Sequence, residues 1–203
     1  MARLQGETPS VILCNPKYDH NVAGILRTCS CFGVKQLWWT GSRVSLDKPK
    51  HERLPREERM KGYADVKMFD GVEKPFDAFP DDCTPVGIEL VPGAQLLPHF
   101  VHPRNPVYVF GPEDGSIPAM VRRHCHHFIA IPTAHCLNLS QAVTLVLYDR
   151  LIKQMQSGEV EGWTMDEFLQ EQRGWNGYFD PMNPKSPRIE AKTGVDVSKF
   201  NAR

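Results

Sequence analysis

Three stretches of the chain group residues whose types and spacing can do chemistry. The first is Phe110-Gly-Pro-Glu-Asp-Gly-Ser-Ile117, where Gly111 and Gly115 permit close backbone approach and Glu113 offers an exposed acid. It follows a β-prone run, Pro106–Phe110, and precedes a helical one, which is where open α/β sheets bind ligands. An ordinary strand–helix turn accounts for the glycines equally well, since short glycine patterns recur by chance. The second stretch, Ile131–Ala142, also joins a strand end to a helix start and contains Cys136, Asn138, Leu139 and Ser140. Either Asn138 or Ser140 can cap the amides that a first helical turn leaves unpaired, and the other is then free for a ligand. The third is Asn21-x-x-Gly-x-x-Arg27, closing at Phe32-Gly33. Arg27 falls in the middle of a helix. One reading has it snorkelling to a surface carboxylate; the other uses its guanidinium fork as a phosphate clamp.

Other chemistries find less support. His124-Cys-His-His127 and the pair His135/Cys136 invite a metal, but neighbours on a strand point to opposite faces and no Cys-x-x-Cys half completes the set. No metal is expected. A Walker loop, a GxGxxG turn and a nucleophile elbow are all missing, which argues against nucleotide hydrolysis and serine-type hydrolysis. The 203 residues are 41% hydrophobic and 24% charged, with a formal net charge of zero. Neutrality neither supports nor excludes nucleic acid, because an RNA-binding protein needs a basic patch and not a basic average. The six cysteines sit mostly in apolar stretches, where they act as small hydrophobes and are expected as free thiols. There is no apolar run of about 20 residues to cross a membrane. The N-terminus MARLQGETPS lacks an apolar signal core, so a cytoplasmic location is expected.

The elements that must position the three stretches follow from periodicity. Strands are expected at 10–16, 34–39, 63–69, 84–88, 106–110 and 127–131. Helices are expected at 21–32, with Asn21 as cap and Gly33 as terminator, briefly around Pro75–Phe79, at 118–124, and at 138–155. In the last, Leu139, Ala142, Val143, Val146, Leu147 and Ile152 form the apolar side. Short apolar strands alternating with helices define an α/β fold, a mainly parallel sheet with helices on both faces. This domain is expected to span 1–156. Residues 157–203 are polar and rich in Pro and Gly, and read as an extension with one short helix, capped at Thr164-x-x-Glu167, and an extended tail. Between Arg43 and Lys61, seven Lys/Arg stand against four Asp/Glu. That segment is either a solvated loop or a basic arm that meets a phosphate backbone.

Taken in order, the three stretches resemble the three signature motifs of the SPOUT superfamily, SpoU/TrmH type. Asn21, Gly24, Arg27 and Gly33 match the first, FGPEDGSIP the second and IPTAHCLNLSQAVTLVLYD the third, over roughly residues 10–153. The resemblance implies a deep trefoil knot in the C-terminal part of the domain, which forms a pocket for S-adenosyl-L-methionine. It implies a homodimer with its active site at the subunit interface, and methyl transfer to a ribose 2′-oxygen of tRNA or rRNA. Carried onto this sequence, it makes Asn21, Arg27, Glu113 and Asn138 catalytic. It assigns the cofactor to Gly87, Ile88, Glu89, Gly111, Ile131, Cys136, Leu139 and Ser140. The third motif often reads Ser-x-Asn where this chain has Cys136-Leu-Asn138; a thiol is a weak hydrogen-bonding group, so only a backbone contact carries over there. Two alternatives stand beside this reading: a SPOUT base methyltransferase, against which the Asn21…Arg27 pattern argues, and a knotted RNA-binding protein that has lost catalysis.

Overall fold

The computed structural model describes residues 8–45 and 66–162, together with Thr164, Glu167 and Phe168. Seven strands form one sheet: β1 (Ser10–Leu13), β2 (Gln36–Trp39), β3 (Lys67–Phe69), β4 (Thr84–Ile88), β5 (Gln95–Leu96), β6 (Pro106–Phe110) and β7 (His127–Ala130). Their order is β3-β2-β1-β6-β4-β7-β5, and every pairing is parallel. The helices are α1 (Asp19–Cys31), α2 (Ala119–Arg122) and α3 (Leu139–Ser157), with short 3₁₀ turns at Pro75–Ala78 and Leu97–His99.

Alternation along each strand sends its side chains into two cores. Val11, Leu13, Leu37, Trp39, Tyr108 and Phe110 face α1 and α3, meeting Val22, Ile25, Leu26, Val143, Val146 and Leu147. Ile12, Trp38, Val107 and Val109 face the other way, against Ile117, Val121 of α2 and the aromatic rings of Phe76 and Phe79. A sheet buried on both faces explains why these strands read as apolar runs. Each fully buried Val or Leu stabilises the fold by roughly 1.5–3 kcal/mol relative to exposure.

Parallel strands place all their C-terminal ends at one edge. Leu13, Phe110 and Ile88 are in register there. From β1 the chain moves to β2 on one side; from β6 it moves to β7 on the other. The crevice between β1 and β6 is therefore a topological switch point, the position at which such sheets bind ligands. The segment after β7 crosses back over the ends of β4 and β6 and delivers α3 to α1. A Cβ at Gly24 would lie 3.3 Å from Ser140 Cβ, so the glycine sets how closely the two helices meet.

The expected strands at 84–88 and 106–110 have the observed bounds. Asn21 is not the cap of α1. The helix begins two residues earlier, after Tyr18, and Asn21 is buried inside its first turn. Gly33 follows the C-terminal cap Phe32 with φ 72°, and Val34 N donates back to Cys29 O at 2.9 Å. Of the strand expected at 63–69 only Lys67–Phe69 forms, and residues 63–65 lie outside the described residues, as does most of the basic 43–61 segment. The helix expected at 118–124 spans Ala119–Arg122. β5 was not foreseen: its two residues, Gln95 and Leu96, are both exposed and carry no alternation.

The chain divides into two units, Met1–Val160 and Glu161–Arg203. In the second, Thr164 Oγ1 accepts from Glu167 N while Glu167 Oε2 accepts from Thr164 N and Oγ1, the reciprocal capping box its sequence announces. No helix among the described residues is long and apolar enough to cross a membrane.

Candidate active site

The loops that follow β1, β4, β6 and β7 converge at the C-terminal edge of the sheet. Those after β4, β6 and β7 line an open cavity of about 210 Å³. Phe110, Ala130, Ile131, Leu139 and Ala142 give it apolar walls, and Glu89, Glu113, Thr133 and Cys136 give it polar ones. Six of the eight residues expected around the cofactor line it: Ile88, Glu89, Gly111, Ile131, Cys136 and Leu139. Gly87 and Ser140 do not. Gly87 lies one residue inside β4, where a Cβ would meet the Phe128 ring at 2.7 Å; its role there is packing. Gly111 is required by its own loop, since a Cβ would lie 3.1 Å from Ile117 N and 3.3 Å from Gly115 O.

Glu89 braces that same loop. Its Oε2 accepts from Ile117 N at 2.8 Å and its Oε1 from Leu90 N at 3.2 Å. Sequence reasoning assigned this acid to the cofactor through the resemblance alone. It could not find the Ile117 amide, because the partner lies 28 residues away on another loop.

Beside the cavity runs a directed chain of hydrogen bonds. Ser140 Oγ and N donate to Asn138 Oδ1 at 2.7 and 2.9 Å, which makes Asn138 the cap of α3. Asn138 Nδ2 donates to Asn21 Oδ1 at 2.9 Å. Asn21 Nδ2 donates to Glu113 Oε1 at 2.6 Å, and Lys17 N donates to Glu113 Oε2 at 2.7 Å. Every donor points toward Glu113, so the sequence of bonds requires an acceptor-only carboxylate at its end. Burial pushes the Glu113 carboxyl upward, but the bonds from Asn21 and from the backbone amides around Lys17 and Tyr18 outweigh it and hold the group below its usual range. Glu113 alone belongs to both the relay and the cavity wall; Asn21 and Asn138 reach the cavity only through it.

A second tie secures the rim. Arg43 donates through Nε to Asn15 O at 3.0 Å, with its NH2 nitrogen on the same oxygen, and through NH1 to both oxygens of Asp114 at 3.0 Å. Lys17 Nζ is 3.2 Å from Asp114 as well. The hydrogen bonds from Arg43 and then Lys17 hold the Asp114 carboxyl below its usual range. None of the contacts of this rim was foreseen, because Arg43 was read only as part of a basic run.

Arg27 stands apart. It is exposed on α1, its side chain makes no hydrogen bond or ion pair among the described residues, and it does not line the cavity. The histidine clusters do not assemble either: among the described residues no three His, Cys, Asp or Glu side chains are grouped to hold a metal ion.

A parallel α/β sheet with a cavity at the C-terminal ends of β4, β6 and β7, walled by a Gly-Pro-Glu loop and a capped helix start, is an arrangement in which open α/β sheets bind ligands. The model of the SpoU rRNA Methylase family matches residues 9–148, and the chain belongs to that family of RNA methyltransferases. No curated protein matches it. Among solved structures, the TrmH/SpoU tRNA modifying enzyme of A. aeolicus has a TM-score of 0.62 at 18% identity, over 85% of this chain and 91% of that one. The SpoU methyltransferase AviRb from Streptomyces viridochromogenes, in complex with the cofactor AdoMet, has a TM-score of 0.61 at 16% identity, over 77% and 65%. A structure described as giving insights into 2-OH methylation of C/U34 on tRNA has a TM-score of 0.61 at 19% identity, over 75% and 98%. At such identities the likeness is one of fold.

Proposed function

We propose that the protein transfers a methyl group from S-adenosylmethionine to the 2′-hydroxyl of a ribose in tRNA or rRNA, acting as a cytoplasmic homodimer. The observation that carries this reading is the double position of Glu113, in the wall of the cavity and at the end of the relay through Asn21 and Asn138. The cavity suits the cofactor. Its walls at Phe110, Ile131 and Leu139 are apolar, as an adenine requires, and Gly111 brings bare backbone to its side. When bound, the cofactor supplies a methyl already activated on a sulfonium. The chain's own work is then to align the ribose oxygen with the S–CH3 bond and to let one proton leave. Alignment contributes roughly 7–11 kcal/mol at best.

Arg27 is the group suited to the RNA. A guanidinium stays protonated in proteins, so it does not act as a base. It binds the phosphate beside the target ribose and polarises the hydroxyl, while that phosphate or water takes the proton. Within one chain Arg27 is exposed and outside the cavity, which supports a second copy completing the site. Leu145 and Tyr148, exposed on α3, give such a dimer apolar surface. The crossing of the 131–138 segment over the ends of β4 and β6 supports the trefoil knot as part of this proposal.

The test is incubation with methyl-labelled cofactor and total RNA, followed by nucleoside mapping. Label on a ribose 2′-oxygen is the expected result. Label on a base moves the protein to the base-modifying reading. Failure to bind the cofactor in calorimetry favours an RNA-binding protein without catalysis, the reading that Cys136 in the cavity wall keeps in view. Arg27→Ala is expected to bind cofactor normally and to lose transfer; full activity removes Arg27 from this role.

A further inference from the structure

The residues that lead into α1 carry an arrangement that the cavity does not use. Tyr18 is 44% exposed although it stands beside the site. His20 lies against it, ring centroids 5.3 Å apart and planes 22° from parallel. Lys17 Nζ sits 5.3 Å from the centre of the Tyr18 ring and is held in place by Asp114. An aromatic pair is thus displayed beside the site, with the Lys17 ammonium over the Tyr18 ring.

The display is fastened to the site through the main chain. The amide of Lys17 donates to Glu113, and the carbonyl of Tyr18 accepts from the amides of Asn21 and Val22 at 3.1 and 3.4 Å. Asn21 in turn holds Glu113. The ring's backbone and the acid of the cavity wall are therefore joined by hydrogen bonds. Tyr18 is the residue that caps α1, yet its side chain makes no capping hydrogen bond. The helix start does not need the ring.

We propose that Tyr18 and His20 form a stacking seat for an unpaired nucleobase of the RNA substrate, next to the ribose that the site addresses. This rests on the RNA methyltransferase reading. Single-stranded RNA is recognised by stacking unpaired bases on aromatic side chains, an interaction that tolerates sequence because every base has a π-face. The seat selects a face and not a charge. Lys17 is tied to Asp114, which it shares with Arg43, and its ammonium is held over the Tyr18 ring.

The experiment uses the full chain and fluorescent 12-nucleotide single-stranded RNAs of uniform A, C or U, titrated by anisotropy at several salt concentrations. Tyr18→Ala and Tyr18→Leu are expected to weaken binding about ten-fold at every salt concentration, with the slope of log affinity against log salt unchanged. Tyr18→Phe and Tyr18→Trp keep a ring and should bind within about two-fold of wild type. The leucine variant removes the π-face while keeping bulk, and cofactor binding by both truncations checks that they are folded. Variants that bind like wild type, a wild type that binds none of the oligonucleotides, or a loss that changes the salt slope overturns the seat. Stacking that depends on Tyr18 in a protein that methylates no RNA sinks the methyltransferase reading and leaves the seat standing. Methyl transfer with Tyr18-independent binding does the reverse.

Discussion

Two polar networks lie at opposite ends of the same strand, and they are built differently. At the C-terminal end of β6, Ser140, Asn138, Asn21 and Glu113 form a line that ends on a carboxylate in the wall of an open cavity. Toward its N-terminal end, His102 Nδ1 meets Tyr108 Oη at 2.6 Å and its Nε2 meets Asp149 at 2.8 Å. Lys153 then closes the set, reaching Asp149 and Leu97 O at 2.6 Å and Phe100 O at 2.9 Å. The second network also borders a cavity, of about 290 Å³. Yet both ring nitrogens of His102 have partners, and Lys153 has three acceptors for its three protons. It joins the 97–105 connection to α3. The first network reaches a cavity wall through one acid. The two cavities differ in the direction and end point of the hydrogen bonds beside them.

The largest expected effect concerns the open network. Glu113→Ala should cut methyl transfer at least about 100-fold, as misplacement by an ångström does elsewhere, and should also lower Tm, because buried Asn21 loses its acceptor. Initial rates and a melting curve check both halves, and an active variant would dissolve the contrast. A loss of stability alone is expected of His102→Ala, which strands a buried tyrosine hydroxyl. It should cost about 2–3 kcal/mol in denaturant unfolding, with transfer per folded molecule unchanged. Tyr108→Phe removes one hydroxyl from the same network and should cost about 1 kcal/mol by the same measurement.

The pH dependence separates the two ends more finely. Burial is the main force lowering the His102 pKa below its usual 6.5, against the pull of Asp149. The unfolded chain then binds the proton first, so His102 contributes full stability above pH 6.5 and loses it as pH falls toward the lower folded value. Glu113, also lowered, contributes above its usual 4.5 and loses that only as pH falls further, through its folded value. Urea unfolding from pH 8 to 4 should show wild-type stability declining below 6.5, and His102→Ala should flatten that limb. An unchanged limb in the variant would reassign the titration to another group.

Legibility in the sequence follows the range of the interactions. β4 and β6 could be bounded because each is a run of β-prone residues between polar breaks, a local signal. The start of α1 could not. Asn21 looks like a cap by type, but its amide is claimed by Glu113, 92 residues away, and Tyr18 caps through its backbone alone. The stretches Phe110–Gly115 and Ile131–Ala142 do meet around one cavity, as ligand-binding strand ends would. Which residues line it was legible only in part: Gly87 packs against Phe128, Ser140 bonds the cap Asn138, and neither lines the cavity. The network of His102 left no trace, because its members are spaced 6 and 47 positions apart with no period.

The all-parallel sheet has a consequence for the order of events during folding. Parallel neighbours cannot be joined by tight hairpins, so each pairing closes a long loop, and chains rich in such contacts fold slowly. The bond between Asn138 and Asn21 spans 117 residues, and the cavity has no roof until α3 docks on α1. A ribosome must therefore release nearly the whole domain before any small molecule can find its place. A ligand of the cavity then acts as an inspector of completed chains, stabilising those that have finished and ignoring the rest.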